Sequence, residues 1–308
     1  MFRCRNAFQD RAFRHHSQPN TQISRLKTEN LVTTAFAPAN ISLIFETYPA
    51  TATHGRGSLG VGITLEQGVV AEVRHASEQH PAGIYVHGEK WAFPTVAKIL
   101  DSLSTVPLHV ELTAAFPFGC GFGMSGASAL ATAYAVDSLL HLNLPREKIG
   151  MAAHLAEVAA ATGLGDVGGQ FNGGVMIKTV KYEPLHVHQL PVTADQLHVR
   201  IHGPIHTADV IGSEEKLRAI NAAGHAALAK LSALGKALTL DQLMDVSHDF
   251  ATGSGLLVHP ELIATINEIK RNGGHASMIM LGEAIVSTVP FQGSQPVTVT
   301  TSGGRLLD

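Results

Sequence analysis

The stretch Phe116-Pro117-Phe118-Gly119-Cys120-Gly121-Phe122-Gly123-Met124-Ser125-Gly126-Ala127 holds the strongest chemical signal in the chain. Glycines let a main chain approach a polyphosphate, and a helix that starts where such a loop ends aims its unpaired N–H groups and its dipole at negative charge. Neither the Walker A pattern nor GxGxxG is satisfied, because no Lys-Ser/Thr pair closes the loop and the glycines at 119, 121 and 123 are spaced differently. A tight structural turn is the competing reading. Ser125 favours the anion cradle, since it puts a hydroxyl at the helix start within reach of Mg²⁺ or a phosphate oxygen.

His154-x-x-Glu157 is the second constellation, and its i,i+3 spacing puts both side chains on one helix face. Ala152, Ala153, Leu155, Ala156 and Val158 surround them. A carboxylate buried on so apolar a helix wants a cation, and Mg²⁺ suits one or two carboxylates plus phosphate oxygens. The alternative is an ordinary exposed glutamate. Asp166 follows nine residues later in Thr162-Gly163-Leu164-Gly165-Asp166, where glycines allow the backbone to present a carboxylate; the alternative there is a turn aspartate bonding its own backbone. The chain has 18 histidines but no HExxH, so transition-metal binding is not expected.

Periodicity places these residues. Apolar runs at 41–45, 69–73, 84–86 and 108–113 read as strands, 91–103 as an amphipathic helix, 125–141 and 147–161 as helices, and 173–178 as a strand. Beyond a His- and Pro-containing connection come a strand at 198–201, helices at 214–234, 240–250 and 260–270, and strands at 278–280 and 285–289. The chain is α+β. Residues 1–32 carry six Lys/Arg against two acids without apolar periodicity and are expected to be a disordered leader; 33–182 and 183–308 are the two expected domains.

Composition removes whole classes of function. Outside the leader, 16 basic residues face 23 acidic ones, so there is no broad cationic surface for nucleic acid. Gly, Pro, His or charge interrupts every apolar run short of the roughly 20 residues that span a bilayer, so no membrane partner is expected. Two cysteines far apart in sequence suggest neither a disulfide framework nor a thiolate metal site, and a reducing, cytoplasmic setting fits.

Three motifs, Ala37-Pro38-Ala39-Asn40-Ile41, the loop from Pro117 to Ala127, and Ser277-Met278-Ile279-Met280-Leu281-Gly282, resemble the GHMP kinase family in order and spacing. Within it, Gly57-Ser58-Leu59-Gly60-Val61-Gly62, the helix around His154 and Glu157, and Gly163-Leu164-Gly165-Asp166-Val167 resemble the archaeal pantoate kinases. The resemblance implies a GHMP kinase fold: a ribosomal S5-like N-terminal domain and a ferredoxin-like α/β-plait C-terminal domain, with ATP and acceptor meeting between them. It implies Asp166 as the catalytic residue, Pro117, Gly119, Gly121, Gly123, Met124, Ser125, Gly126 and Ala127 as the ATP cradle, and Ser125 and Glu157 as Mg²⁺ ligands. Ser58, His154 and Lys178 match positions that hold pantoate, Lys178 standing where the family has Arg. The implied reaction is phosphorylation of pantoate to 4-phosphopantoate in coenzyme A biosynthesis, and a homodimer is allowed. Rivals are a kinase for mevalonate, homoserine or shikimate, and a catalytically silent GHMP-like binding protein. Asn40 stands where many GHMP kinases carry Lys. Residues 289–297 leave too few positions for a helical crossover between strands, so a trimmed plait is expected. Met278, Met280 and Leu281 are expected to pack in the core, with Gly282 close to the glycine loop.

Overall fold

The computed structural model describes residues 31–52, 55–205, 210 and 212–307. The expected leader lies outside these residues except for its last two; Val32 already pairs with Arg74 as the first residue of a strand.

Ala35, Ala37, Ala39, Ile41 and Leu43 are all fully buried at a spacing of two, the signature of a strand with one face in a core. They belong to β1 (Val32–Tyr48), which forms a long antiparallel hairpin with β2 (Gly57–His75). The far edge of β2 takes two partners in turn: β5 (Leu108–Ala114) along 69–75 and β6 (Val175–Lys178) along 60–63. Short strands β3 (Gly83–Val86), β4 (Glu89–Lys90), β7 (His188–Gln189) and β12 (Arg305–Leu307) complete this sheet, β12 on β1.

Helix α2 (Met124–Leu139) lies on β1 and β2, and its Ala/Leu-rich sequence is buried on nearly every side, as a helix apolar all round must be. Helices α1 (Pro94–Leu103) and α3 (Arg146–Ala159) flank it. Pro94 in the first turn explains why α1 starts three residues after the expected position. A further helix, α4 (Asp166–Asn172), is absent from the periodicity because Gly168-Gly169 dilutes it. Those glycines are there for proximity: a Cβ on Gly168 would sit 2.5 Å from the Pro184 carbonyl oxygen, and one on Gly169 would collide with Asn40 Oδ1.

The second sheet runs β11-β8-β10-β9, antiparallel throughout, from β8 (Gln196–Pro204), β9 (Ala276–Ile279), β10 (Gly282–Ser287) and β11 (Gln295–Thr298). Helices α5 (Glu214–Leu234), α6 (Leu240–Gly253) and α7 (Pro260–Arg271) connect β8 to β9. Only a loop joins β10 to β11, one crossover helix fewer than the β-α-β-β-α-β plait. Register explains how this works. Ser287 at the end of β10 sits opposite His198, and Gln295 at the start of β11 opposite Val199, so the chain crosses β8 without travelling back along it.

β1 belongs to both layers. A bulge between Ser42 and Ile44 redirects it, and beyond the bulge Ile44 and Phe45 are both buried. Thr47 donates its N–H (2.8 Å) and its hydroxyl (3.1 Å) to Asn221 of α5, Ser247 of α6 donates to the Leu43 carbonyl (2.9 Å), and the Phe45 and Phe250 rings meet edge-on. From the other direction, residues after β11 return to the first sheet: Thr300 N–H bonds Thr64, and Gly304 N–H bonds the Gln170 carbonyl of α4.

Gly282 is the tightest contact between the layers, since a Cβ there would overlap the Cys120 carbonyl and lie 2.5 Å from Gly121 N. Both neighbours are backbone and cannot step aside. Gly282→Ala is expected to lower stability by about 2–3 kcal/mol, read as a lower urea midpoint. Gly253→Ala, at the open end of α6 with only Ala223 nearby at 3.7 Å, should leave it unchanged or raise it.

Candidate active site

Residues 40–42 of β1 are the hub. The Asn40 N–H bonds Phe122 O of the glycine loop (3.1 Å), and the Ser42 carbonyl accepts from Met280 N–H (3.0 Å), so one short segment fixes both other sequence motifs. Its side chains seize Asp166 at the start of α4: Asn40 Nδ2 donates to Oδ1 at 2.9 Å and Ser42 Oγ donates to the same oxygen at 2.8 Å. Asp166 therefore does not spend its carboxylate on its own backbone. Burial raises its pKa, and the Ser42 and Asn40 hydrogen bonds and the Lys178 charge pull it back.

The glycine loop turns sharply into α2. Gly123 caps the helix in the left-handed region at φ 64° and no side chain caps the first turn, which leaves the N-terminal N–H groups of a buried helix pointing at whatever enters the loop. Gln170 of α4 donates to the Gly123 carbonyl at 2.6 Å, and the rings of Phe116 and Phe122 stack 4.1 Å apart. Ser125 Oγ, on that first turn, is 3.0 Å from Thr95 Oγ1, itself 3.0 Å from Thr162 Oγ1.

Glu157 comes up from α3 beside Gly126, the residue after Ser125. It is 1% exposed, and Gly126 and Gly163 make room for it: a Cβ on Gly126 would lie 3.0 Å from Oε1, and one on Gly163 would overlap the carboxyl. Burial first, then the Asp166 charge, drives its pKa well above the ordinary carboxylate range, against the opposing pull of Lys178. Its Oε2 has no partner. A buried, orphaned carboxylate oxygen at the first turn of a helix whose terminus is free, with Ser125 on the same turn, is a donor set that fits a hard divalent cation sharing phosphate oxygens. Among the described residues no group of three or more His, Cys, Asp or Glu is placed to hold a metal by itself.

A cavity of about 70 Å³ opens beside Asp166, lined on one side by Asn40, Ser42, Ser58, Asp166 and Lys178 and on the other by aliphatic side chains including Ile44, Val61 and Leu164. Lys178 is 5% exposed and its ammonium has no hydrogen-bond partner. Burial lowers its pKa to about 8, with Asp166 and Glu157 opposing. A Cβ on Gly165 would overlap Ser58 Oγ and lie 3.2 Å from Lys178 Nζ, which puts hydroxyl and ammonium around one point.

The geometry thus gathers Ser58, Ser125, Glu157, Asp166, Lys178 and the loop from Pro117 to Ala127 in one region. His154 stands apart: it is buried behind the site, does not line the cavity, and its pKa falls to about 4 through burial and the Lys178 charge. Met278 and Met280 are core residues as expected, whereas Leu281, at φ 63°, lines the cavity. Sequence reading did not find Ser42, Thr95, Thr162 or Gln170; only Asn40, inside a motif, carried a signal.

A glycine-loop helix terminus, a buried acid pair and a cation-lined cavity beside them are the parts of an enzyme that moves a phosphoryl group onto a small molecule. Comparison with known proteins narrows the class. Residues 91–174 match the N-terminal domain of GHMP kinases, a family whose members use ATP as phosphate donor. The chain is 29% identical over 255 residues to a pantoate kinase of Methanocaldococcus jannaschii, covering 81% of this chain and 90% of that one. It is 28% identical to a pantoate kinase of Thermococcus kodakarensis, covering 83% and 87%. A solved structure described as a phosphotransferase related to the CoA biosynthesis pathway superimposes with a TM-score of 0.75 at 23% identity, covering 90% of this chain and 98% of that one. The fold is the GHMP kinase fold, with the second crossover helix of the plait replaced by a loop. No helix among the described residues is long and apolar enough to cross a membrane.

The two hydrogen bonds onto Asp166 Oδ1 make a direct prediction. Ser42→Ala removes one donor to the charged form, so the Asp166 pKa should rise further. Carboxyl-carbon NMR titration reads it; an unchanged or lower value contradicts the assigned bond.

Proposed function

We propose that this chain transfers the γ-phosphoryl group of Mg²⁺-bound ATP to the primary 4-hydroxyl of pantoate, giving 4-phosphopantoate and ADP on the route to coenzyme A. The observation that carries the acceptor class is Lys178: an ammonium 5% exposed, without a partner, on the wall of a cavity that also holds Asp166. A buried ammonium that makes no hydrogen bond is costly, and a carboxylate of the acceptor would accept one from it. The likeness to pantoate kinases over four-fifths of the chain supports the particular acid.

In this reading Lys178 and Ser58 hold the acceptor carboxylate and 2-hydroxyl, and the aliphatic wall takes the branched carbon. His154 acts from behind, keeping the shape of the wall near Lys178. Asp166, oriented by Asn40 and Ser42, accepts a hydrogen bond from the 4-hydroxyl and aims its oxygen at the γ-phosphorus. As that P–O bond forms, the bond to the bridging oxygen of ADP breaks, and Asp166 takes the hydroxyl proton late. Pro117, Gly119, Gly121, Gly123, Met124, Gly126 and Ala127 present N–H groups or close backbone approach to the phosphates. Ser125 and Glu157 would hold Mg²⁺, which supplies charge neutralisation when bound. We assign 33–182 to the S5-like domain and 183–308 to the plait, with β7 and β12 crossing back to the first sheet, and place the reaction in the cytoplasm.

An acceptor panel of D-pantoate, mevalonate, homoserine and shikimate with Mg·ATP tests the substrate. ADP release should be fastest with D-pantoate, and release with another alcohol but not with D-pantoate overturns the assignment. Asp166→Asn should lower kcat by about 10²–10⁴ while nucleotide binding persists. Turnover at the wild-type level would overturn the catalytic role of Asp166.

The Lys178 pKa of about 8 sets a pH dependence. Below it the ammonium is charged in the free enzyme and meets the acceptor carboxylate; raising the pH through about 8 removes the proton and the attraction. The KM for the acceptor should be flat below pH 8 and rise above it. In Lys178→Met it should be high throughout, without that step.

A further inference from the structure

Two hydroxyls behind the glycine loop, those of Thr95 and Thr162, have no place in the reaction as written. Thr95 Oγ1 lies 3.0 Å from Ser125 Oγ and 3.0 Å from Thr162 Oγ1, and Thr162 Oγ1 lies 3.3 Å from the Glu157 carbonyl oxygen. Thr95 is 0% exposed, at the start of α1, so it sees no bulk water. The run ends on a carbonyl, which can only accept.

With Thr162 Oγ1 donating to that carbonyl, the run has one consistent direction. Each hydroxyl has one hydrogen to give. Thr162 gives its hydrogen to the Glu157 carbonyl, so towards Thr95 it must accept. Thr95 therefore gives its hydrogen to Thr162 and must accept from Ser125. Ser125 is left with its hydrogen turned back into the protein and its lone pairs facing the phosphate loop. A neutral serine binds a hard cation only through lone pairs, so this is the orientation a ligand to Mg²⁺ requires. The same Glu157 whose carbonyl ends the run carries the orphaned Oε2 of the proposed cation site.

We propose that Thr95 and Thr162 are positioning residues for the cation site: a one-way hydroxyl relay from Ser125 through Thr95 and Thr162 to the Glu157 carbonyl holds Ser125 with its lone pairs towards the metal. The inference rests on the assignment of Ser125 as a Mg²⁺ ligand. Without the relay, the Ser125 hydroxyl is free to turn its hydrogen towards the phosphates and offer the cation the wrong end. The relay also ties α1 to the end of α3.

The test is calorimetric binding of an ATP analogue with a non-hydrolysable β–γ bridge across a Mg²⁺ series, which reads metal affinity without turnover. Thr95→Val keeps the shape and removes the acceptor; it should raise the Mg²⁺ concentration for half-maximal binding by about tenfold, with metal-free analogue binding unchanged. Thr95→Ser should restore the wild-type value. Thr162→Val, at a half-exposed position, should shift the requirement in the same direction and covers the case in which Thr95→Val does not fold. If Ser125→Ala shifts the Mg²⁺ requirement and neither valine variant does, the relay is overturned while the ligand assignment stands. If Ser125→Ala itself shifts nothing, the ligand assignment falls and the relay with it.

Discussion

One three-residue segment of one strand holds the chemistry in register. Between Asn40 and Ser42, the backbone accepts from the turn before β10 and donates to the glycine loop, while both side chains donate to a single oxygen of Asp166. Three distant stretches of sequence are thereby fixed to each other by short hydrogen bonds. The bulge that follows sends the rest of β1 under α5 and α6, so the segment sits where the two sheets meet. Displacing it would move the acid, the loop and the second layer together.

Around that hub the site is built from charges that lack partners. Glu157 and Lys178 are both buried, each with an unsatisfied polar atom, and burial pushes both towards their neutral forms. Such an arrangement is expensive in an empty protein and becomes favourable when a cation arrives for the glutamate and an anion for the lysine. The free helix terminus of α2 obeys the same logic, since its N–H groups have no side-chain cap. Buried polar groups left without partners are a pattern found where a protein binds charged groups away from water.

Much of this was legible in the residues. The glycine loop opening a helix, the His154–Glu157 face and Asp166 between glycines all announced themselves by type and spacing, and the helices of the second layer follow apolar periodicity almost residue for residue. What stayed hidden did so for physical reasons. α4 is too short and too rich in glycine to show a period, and its Gly168 and Gly169 serve close packing against Pro184 and Asn40. Ser42, Thr95 and Thr162 look like any hydroxyl in a list of residues, because a hydrogen bond across 124 positions leaves no trace in local pattern. His154 shares a helix face with Glu157, as spacing required, but the face is broad enough for one to reach the site and the other to sit behind it. Leu281 reads as another apolar strand residue, and only its positive φ turns it towards the cavity.

The strand β12 has a consequence for how the molecule is made. Residues 305–307 close one edge of the sheet that residue 32 begins, and residues 303–304 brace the far end of the helix that carries Asp166. A ribosome delivers the chain in order, so the first layer waits, edge open, until nearly all of the second has emerged. A nascent chain halted before residue 303 therefore lacks the contacts that brace the far end of α4, while its start is already held through Asp166 by Asn40 and Ser42.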